Sequence, residues 1–162
     1  MSMHPTKNDL PQKLRSKVVA VLGDRLADAT DLMLSGKQAH WNVKGPNFIA
    51  LHELFDKVVE SAEEWVDLIA ERIVQLGGQA EGTVQATAGR TSLDPYPVNI
   101  VSGKDHVEAL SSALAAFGKK ARAAIDKTDK LGDKDTADLF TEISRDVDKY
   151  LWFVEAHNQR AE

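Results

Sequence analysis

The sequence contains no cysteine, and aromatic residues make up only 6% of its 162 residues. Without cysteine the chain forms neither disulfides nor thiolate metal sites, which fits a reducing compartment. No apolar run approaches the roughly 18 residues that cross a membrane, and the N-terminal segment lacks the apolar core of a secretory signal. We therefore expect a cytoplasmic protein with no membrane partner, large enough to bury the core of one domain.

The chain also has no excess of positive charge, since 25 Asp and Glu outnumber 20 Lys and Arg and the formal net charge is -5. A body of this charge does not bind nucleic acid by bulk electrostatics, although a local basic segment still can. Such a segment lies at the start of the chain, and it supplies the candidate DNA contacts Lys7, Lys13, Arg15 and Lys17. Acidic residues concentrate instead in residues 126–148. The basic start of the chain and the acidic region of residues 126–148 are therefore both candidate contact surfaces.

Apolar residues at helical spacing predict a first helix that ends near His40. Its start is predicted at Asp9, which can cap the helix, with Pro11 tolerated in the first turn and Gln12 completing a capping box. Residues 1–9 then form a short tail, and a single domain is expected over residues 10–160.

Three further helices are predicted after the turn "NVKGPN", over residues 47–76, over residues 104–126, and from the acidic region to near the C-terminus. The connection of residues 77–103 is rich in Gly, Thr, Ser and Pro, and it can cross from one end of a bundle to the other while holding one short helix. This order predicts an all-α fold, a ferritin-like four-helix bundle with a long crossover between helices 2 and 3.

The second predicted helix carries an unusual set of ionisable residues. His52 and Asp56 are four residues apart, as are Asp67 and Glu71, so each pair shares a helix face. The two pairs fall on one stripe, but Asp56 and Asp67 lie roughly 16 Å apart along the axis. One metal ion with ligands at about 2 Å cannot be held by both pairs of a single chain.

Two copies of this helix packed antiparallel about a two-fold axis remove the difficulty. The His52 and Asp56 end of one chain then faces the Asp67 and Glu71 end of the other, giving two equivalent sites. His40 can close each site if the "NVKGPN" turn folds it back beside His52. An intrachain di-iron centre is the competitor, and it is weakened because the chain contains no Glu-x-x-His motif. Mixed imidazole and carboxylate ligands suit iron or zinc.

A simpler interpretation reads these pairs as a solvated charged surface, supported by the neighbouring charges of Glu63, Glu64 and Arg72. Trp41 is likewise more often a packing residue than a functional one. The spacing of all five candidate ligands, rather than either pair alone, favours a metal site.

The pattern His40-x11-His52-x3-Asp56-x10-Asp67-x3-Glu71 resembles the Dps proteins, the mini-ferritins named as DNA-binding proteins from starved cells. The similarity extends to "YPVNI" before the third predicted helix and to "TADLFTEISRDVDKYLWFVE" in the fourth, and it covers about residues 37–155.

This resemblance implies a homo-dodecameric shell with ferroxidase sites at its two-fold interfaces. His40, His52 and Asp56 would come from one subunit, with Asp67 and Glu71 from its partner. Iron would be oxidised there, preferably by hydrogen peroxide rather than oxygen, and stored as ferric mineral, which protects the cell from oxidative damage.

The resemblance also implies that Trp41 neighbours the site. Asp135 and Asp138 are candidates for an acidic iron pore, although they also simply favour a helix N-terminus. Two alternatives stay open: a DNA-compacting, nucleoid-associated protein with the shell as scaffold, and a helical oligomer that binds zinc structurally.

Overall fold

Five α-helices and no strand occur in residues 3–159, which are the residues that the structure, a computed structural model, describes. The helices are α1 (Gln12–Asn42), α2 (Phe48–Gln75), α3 (Val84–Arg90), α4 (Gly103–Leu131) and α5 (Lys134–Glu155). The all-α four-helix bundle is confirmed, and α3 is the short helix expected in the crossover. The predicted domain end at residue 160 and the first two residues of the predicted tail lie outside the described residues.

The bundle consists of two helix hairpins. A short loop makes α1 and α2 neighbours, α4 and α5 form the second hairpin, and the hairpins meet where α1 packs on α4 and α2 on α5. Apolar residues at helical spacing fill the centre, and the largest that are fully buried include Phe55, Phe117, Phe140, Leu22 and Ile69. Within residues 3–159, no helix has the length and apolar character that crossing a bilayer requires.

The start of α1 differs from its prediction. The helix begins at Gln12 after Pro11, and no side chain caps it, so the proposed Asp9 cap is wrong. The residues before it form a polar turn, in which Asn8 Oδ1 accepts a hydrogen bond from the Leu10 amide. Pro11 instead supplies its carbonyl to the amide of Leu14, because its fixed φ suits a helix entrance.

The end of α4 was also predicted too early. The polar run after Asp126 continues the helix to Leu131, because Thr128 faces the core and is fully buried there. Its hydroxyl donates to the carbonyl of Ala124 at 2.8 Å, so a polar side chain is accommodated inside the bundle. Gly132 stops the helix with a φ of 93°, a left-handed conformation that glycine adopts without steric strain.

Buried polar bonds fasten the crossover to α1. Asp28 is fully buried and accepts hydrogen bonds from the Ser92 amide at 2.7 Å and from Arg25 Nε at 2.8 Å. Arg90 Nε, at the end of α3, donates to Asp24 at 2.9 Å. The position of the crossover is therefore set by specific charge-assisted bonds.

One close approach and two backbone hydrogen bonds of the loop set the relation of α1 to α2, which carry the candidate site. A Cβ atom at Gly36 would lie 2.8 Å from Val59 Cγ2, so the absence of a side chain lets the helices pack closely there. The loop between them is held by Lys44, whose amide donates to the Val101 carbonyl and whose own carbonyl accepts from the Gly103 amide. These bonds fix the turn that brings His40 beside His52.

Candidate metal centre

His40 and His52 are brought face to face where α1 ends and α2 begins. Their rings stack with centroids 3.7 Å apart and an interplanar angle of 22°. Each ring nitrogen Nδ1 bonds the backbone carbonyl of the other residue, at 2.8 Å for His40 and 2.9 Å for His52. The predicted folding of His40 back beside His52 is therefore observed.

These reciprocal bonds determine which nitrogen is free. A carbonyl oxygen only accepts hydrogen bonds, so Nδ1 of both His40 and His52 carries the hydrogen and donates. In a neutral imidazole the other nitrogen, Nε2, then keeps its lone pair. Backbone carbonyls that orient a histidine in this way are the usual outer partners of metal-binding imidazoles. Each ring thus has a nitrogen, Nε2, that can bind a metal ion.

Asp56 lies next to this pair, with Oδ1 3.9 Å from His40 Nδ1. The same carboxylate forms an ion pair and hydrogen bond with Lys37 Nζ, which our sequence analysis did not include in the site. The hydrogen bond from Lys37 is the largest cause that lowers the pKa of Asp56 below its ordinary value. The signal was available, since Lys37 lies three residues before His40 and shares its helix face.

Asp67 and Glu71 lie farther along α2 and are both exposed. In residues 3–159 of the single chain, no group of three or more His, Cys, Asp or Glu side chains is close enough to hold a metal ion. Glu71 borders a shallow surface depression with Ala70, Val74, Gln75 and Ala80. His40, His52 and Asp56 are therefore neighbours that do not by themselves form a metal-binding group, and Asp67 and Glu71 lie apart from them.

The other predicted site residues are dispersed. Trp41 follows His40 and is mostly exposed. Asp135 and Asp138 are both exposed near the start of α5, and the Asp135 side chain is 86% exposed. Asp135 Oδ2 lies 3.8 Å from a guanidinium nitrogen of Arg72, so its charge is partly compensated.

The simpler interpretation placed Arg72 on a charged surface around Glu71. The structure shows that Arg72 does not lie on such a surface. Its side chain turns into the bundle and donates to Asp133 at 2.8 Å and to the Thr136 hydroxyl at 2.9 Å. Asp133 is buried and also caps α5 by accepting from the Thr136 amide. This buried network joins the last turn of α2 to the first turn of α5.

The candidate DNA contacts are similarly divided. Lys7, Lys13 and Lys17 are exposed, whereas Arg15 is buried. Arg15 Nε donates to the Leu10 carbonyl at 2.9 Å, and its Nη1 donates to the Leu76 carbonyl at 2.7 Å. Arg15 is therefore corrected from a candidate phosphate contact to a structural residue that fastens the N-terminal segment to the end of α2.

Comparisons with known proteins show the family to which the chain belongs. The ferritin-like domain family matches residues 19–162. A DNA protection during starvation protein of Agrobacterium fabrum is 50% identical over 98% of both chains. The solved structure of Mycobacterium smegmatis Dps, 35% identical, superposes with a TM-score of 0.92 over 99% of this chain and 91% of that one. DpsA14 from Streptomyces coelicolor, 34% identical, superposes with a TM-score of 0.93 over 99% of this chain and 96% of that one.

The match over most of the sequence defines a protein of the ferritin-like class. Similarity in both sequence and structure to proteins named Dps narrows this class. The chain belongs to the Dps family, the mini-ferritins, as the spacing of its five candidate ligands predicted.

Proposed function

We propose that this protein oxidises Fe²⁺ at sites shared between two subunits and stores the ferric product inside a dodecameric shell. In each site, His40, His52 and Asp56 of one subunit bind iron together with Asp67 and Glu71 of the partner subunit. The protein is thus a ferroxidase whose substrate is iron, with hydrogen peroxide as the preferred oxidant and oxygen as the slower one.

The observation that carries this proposal is the paired orientation of His40 and His52. The carbonyl bonds occupy Nδ1 of both rings and leave Nε2 free of them, and the Asp56 carboxylate lies 3.9 Å from Nδ1 of His40. Imidazole with carboxylate is a donor set that suits iron.

The exposed face of α2 supports a shared site. Ile49 lies three residues before His52, and Val74 lies three residues after Glu71. Antiparallel pairing that brings His52 to the partner's Glu71 therefore also brings Ile49 to the partner's Val74. These apolar side chains are 60% and 59% exposed in the single chain, and such pairing covers both.

Oxidation follows from the charge of the ligands. Carboxylates are hard anions, so Asp56 with the partner's Asp67 and Glu71 favours Fe³⁺ over Fe²⁺. Peroxide accepts two electrons to become water, and each ferrous ion supplies one. Oxidation of two ions by one peroxide therefore releases no hydroxyl radical, which protects the cell as well as storing iron. Asp135 and Asp138 are proposed to attract Fe²⁺ towards an entry pore.

The direct experiment follows Fe²⁺ oxidation by absorbance after addition of peroxide or oxygen. The variant His52→Ala with Asp56→Ala is expected to reduce the peroxide reaction to the rate in buffer. His157→Ala with Asp94→Ala, which removes an exposed histidine and an exposed aspartate that are not among the five candidate ligands, is the matched control. An unchanged rate in the His52 and Asp56 variant would refute the site.

Subunit mixing tests whether the site is shared. Protein with His52→Ala and Asp56→Ala is unfolded and refolded together with protein carrying Asp67→Ala and Glu71→Ala. Each parent lacks a complete site, but a mixed pair contains one intact site and one fully disabled site. Random pairing should restore about a quarter of the wild-type sites. No recovery in mixed particles of correct mass would exclude a shared site.

DNA compaction is the second candidate function. It is favoured by the exposure of Lys7, Lys13 and Lys17 and by relatives whose names refer to DNA protection. Lysines multiplied over a shell would bind phosphates in a salt-dependent way. A gel shift at low salt that disappears on removal of residues 1–8 would support this function and nucleoid association, whereas no shift at low salt would exclude it.

A further inference from the structure

A cavity lies at one end of the bundle, where three segments of the chain meet. The turn between α1 and α2, the start of α4 and the residues after α5 border this space of about 440 Å³. None of the five candidate iron ligands lines it, although Leu51 in its wall directly precedes His52. The cavity is therefore a feature that the proposed iron site does not use.

The lining of the cavity carries positive charge without a compensating carboxylate. Lys44 and Lys104 line it, and so does His157, but no Asp or Glu is among the described residues of the lining. Neither lysine belongs to the lysines that form ion pairs within residues 3–159, which are Lys37, Lys134 and Lys149. Two like charges beside one recess, in a chain whose net charge is -5, favour an anion between them.

Neutral hydrogen-bond donors complete the lining. Asn158 Nδ2 donates to the carbonyl of Lys104 at 3.1 Å, and this amide nitrogen carries a second hydrogen. Asn47 directly precedes α2, but its side chain does not cap that helix. The neighbouring carboxylate of Asp105 does not line the cavity and instead accepts a hydrogen bond from the Ser102 hydroxyl at 2.7 Å.

Backbone hydrogen bonds hold the walls of the cavity in place. The amide of Lys44 donates to the Val101 carbonyl at 3.0 Å, and the carbonyl of Lys44 accepts from the Gly103 amide at 3.1 Å. The Asn158 side chain fastens the turn after α5 to the first turn of α4. Both lysines therefore project from fixed backbone, so a ligand need not order the chain when it binds.

The floor of the cavity is apolar and closed. Leu51 and Val107 line it, and their side chains are buried. A Cβ atom at Gly103 would lie 2.6 Å from Leu51 Cδ1, so α4 rests directly on α2 at this point. A recess with low-dielectric walls and charge of one sign concentrates small ions of the opposite sign.

We propose that this cavity binds inorganic phosphate. The donors are Lys44, Lys104, Asn47 and Asn158. Phosphate oxygens accept strong hydrogen bonds from ammonium and amide groups, and the two lysines neutralise the charge of the anion. The positive end of α2 adds to this attraction, because its first turn has no acidic residue and no side-chain cap. The inference goes beyond the proposed function, since no iron ligand takes part.

The test is isothermal titration calorimetry of inorganic phosphate into the assembled, metal-free protein at low salt. Wild type is expected to show one class of saturable sites. Lys44→Gln with Lys104→Gln should bind phosphate about five- to thirtyfold more weakly, because it removes two unit charges beside the anion. No saturable binding by wild type, or equal affinity in this variant, would overturn the inference.

Lys119→Gln with Lys127→Gln is the matched control. It removes two exposed lysines of α4 that do not line the cavity, so the affinity for phosphate should stay at the wild-type value. All four lysines are exposed, and thermal unfolding followed by circular dichroism should therefore be similar in both variants. An equal loss of affinity in the control would show that phosphate responds only to the net charge, which also overturns the inference.

A second experiment locates the anion and distinguishes free phosphate from the phosphates of DNA. Tungstate is a tetrahedral anion whose heavy atom is visible by anomalous scattering, and its peak is expected beside Lys44 and Lys104 and should disappear in excess phosphate. Tungstate found only elsewhere contradicts the proposal. A duplex oligonucleotide that binds through the two lysines, while free phosphate does not saturate, would assign them to a DNA surface and refute the phosphate site.

Discussion

His40 and His52 each orient the other, because the Nδ1–H of one ring donates to the backbone carbonyl of the other residue. The arrangement also satisfies the carbonyl of His40, which lies in the last turn of α1 where carbonyls lack partners within the helix. Removing one ring leaves in place the carbonyl that orients the other, but it removes one candidate ligand and the ring stacking, so a single substitution at either position should weaken metal binding.

Lys37 should compete with metal for Asp56. We predict that Lys37→Gln increases the affinity of the protein for Co²⁺, used as a probe for Fe²⁺, by about three- to tenfold. A unit charge about 4 Å away contributes ~1 kcal/mol in water-like surroundings, and the substitution removes that repulsion. Isothermal titration calorimetry measures the change. Lys17→Gln removes the same charge from an exposed position of α1 and should leave the affinity unchanged; weaker Co²⁺ binding in Lys37→Gln would contradict the prediction.

The apolar ends of the α2 face should hold the subunit pair together. Ile49→Asp is expected to shift the particle to smaller species on dilution, because full burial of one such side chain contributes about 1.5–3 kcal/mol. Light scattering measures the mass, and Val98→Asp, at another exposed valine in the crossover, is the control. If Ile49 faces the partner's Val74, then Ile49→Asp combined with Val74→Lys should recover assembly, and no recovery would argue for a different register.

The buried Arg72 and Asp133 pair should matter for stability. We predict that Asp133→Ala lowers the free energy of unfolding by about 3–5 kcal/mol, because it leaves a buried guanidinium without its charged partner and removes the α5 cap. Urea denaturation followed by circular dichroism measures the loss. Asp135→Ala removes the exposed neighbour of Arg72 and should change stability by less than about 0.5 kcal/mol. Equal effects of the two substitutions would show that burial of Asp133 is not important.

Acidification should weaken the fold through His106. Burial lowers the pKa of His106 in the folded chain, so the unfolded chain binds its proton more readily. Stability is therefore retained above about pH 6.5, the ordinary pKa of histidine, and decreases as the pH falls below it. The urea midpoint should fall between pH 7.5 and pH 5.5, and it should fall less in His106→Gln. His157→Gln, at an exposed histidine, should retain the full pH dependence.

The sequence predicted those structural features that depend on the spacing of residues along a single helix. Apolar periodicity predicted the four long helices, and the two i,i+4 pairs predicted which side chains share a face of α2. The spacing of Lys37 and His40 showed that they share a face of α1, but it did not show which carboxylate Lys37 pairs with, because that contact depends on how far α1 is shifted along α2.

Polarity was a poor guide to two further features. Arg72 was interpreted as a surface residue, although its place directly before Ile73 and three residues after Ile69 puts it beside the core stripe. The polar run after Asp126 was interpreted as a turn, yet only Gly132 supplies a conformation that ends α4. Both errors came from composition, which does not show the direction in which a polar side chain points.

The N-terminal segment is fastened at the end of the helix that carries the acidic ligands. The His4 amide donates to the Gly77 carbonyl at 2.7 Å, and Arg15 holds the carbonyl of Leu76, five residues after Glu71. A force applied at the start of the chain is thus transmitted to the last turns of α2 rather than absorbed by a loose tether. An affinity tag placed ahead of residue 3 would therefore load the same helix that presents Asp67 and Glu71.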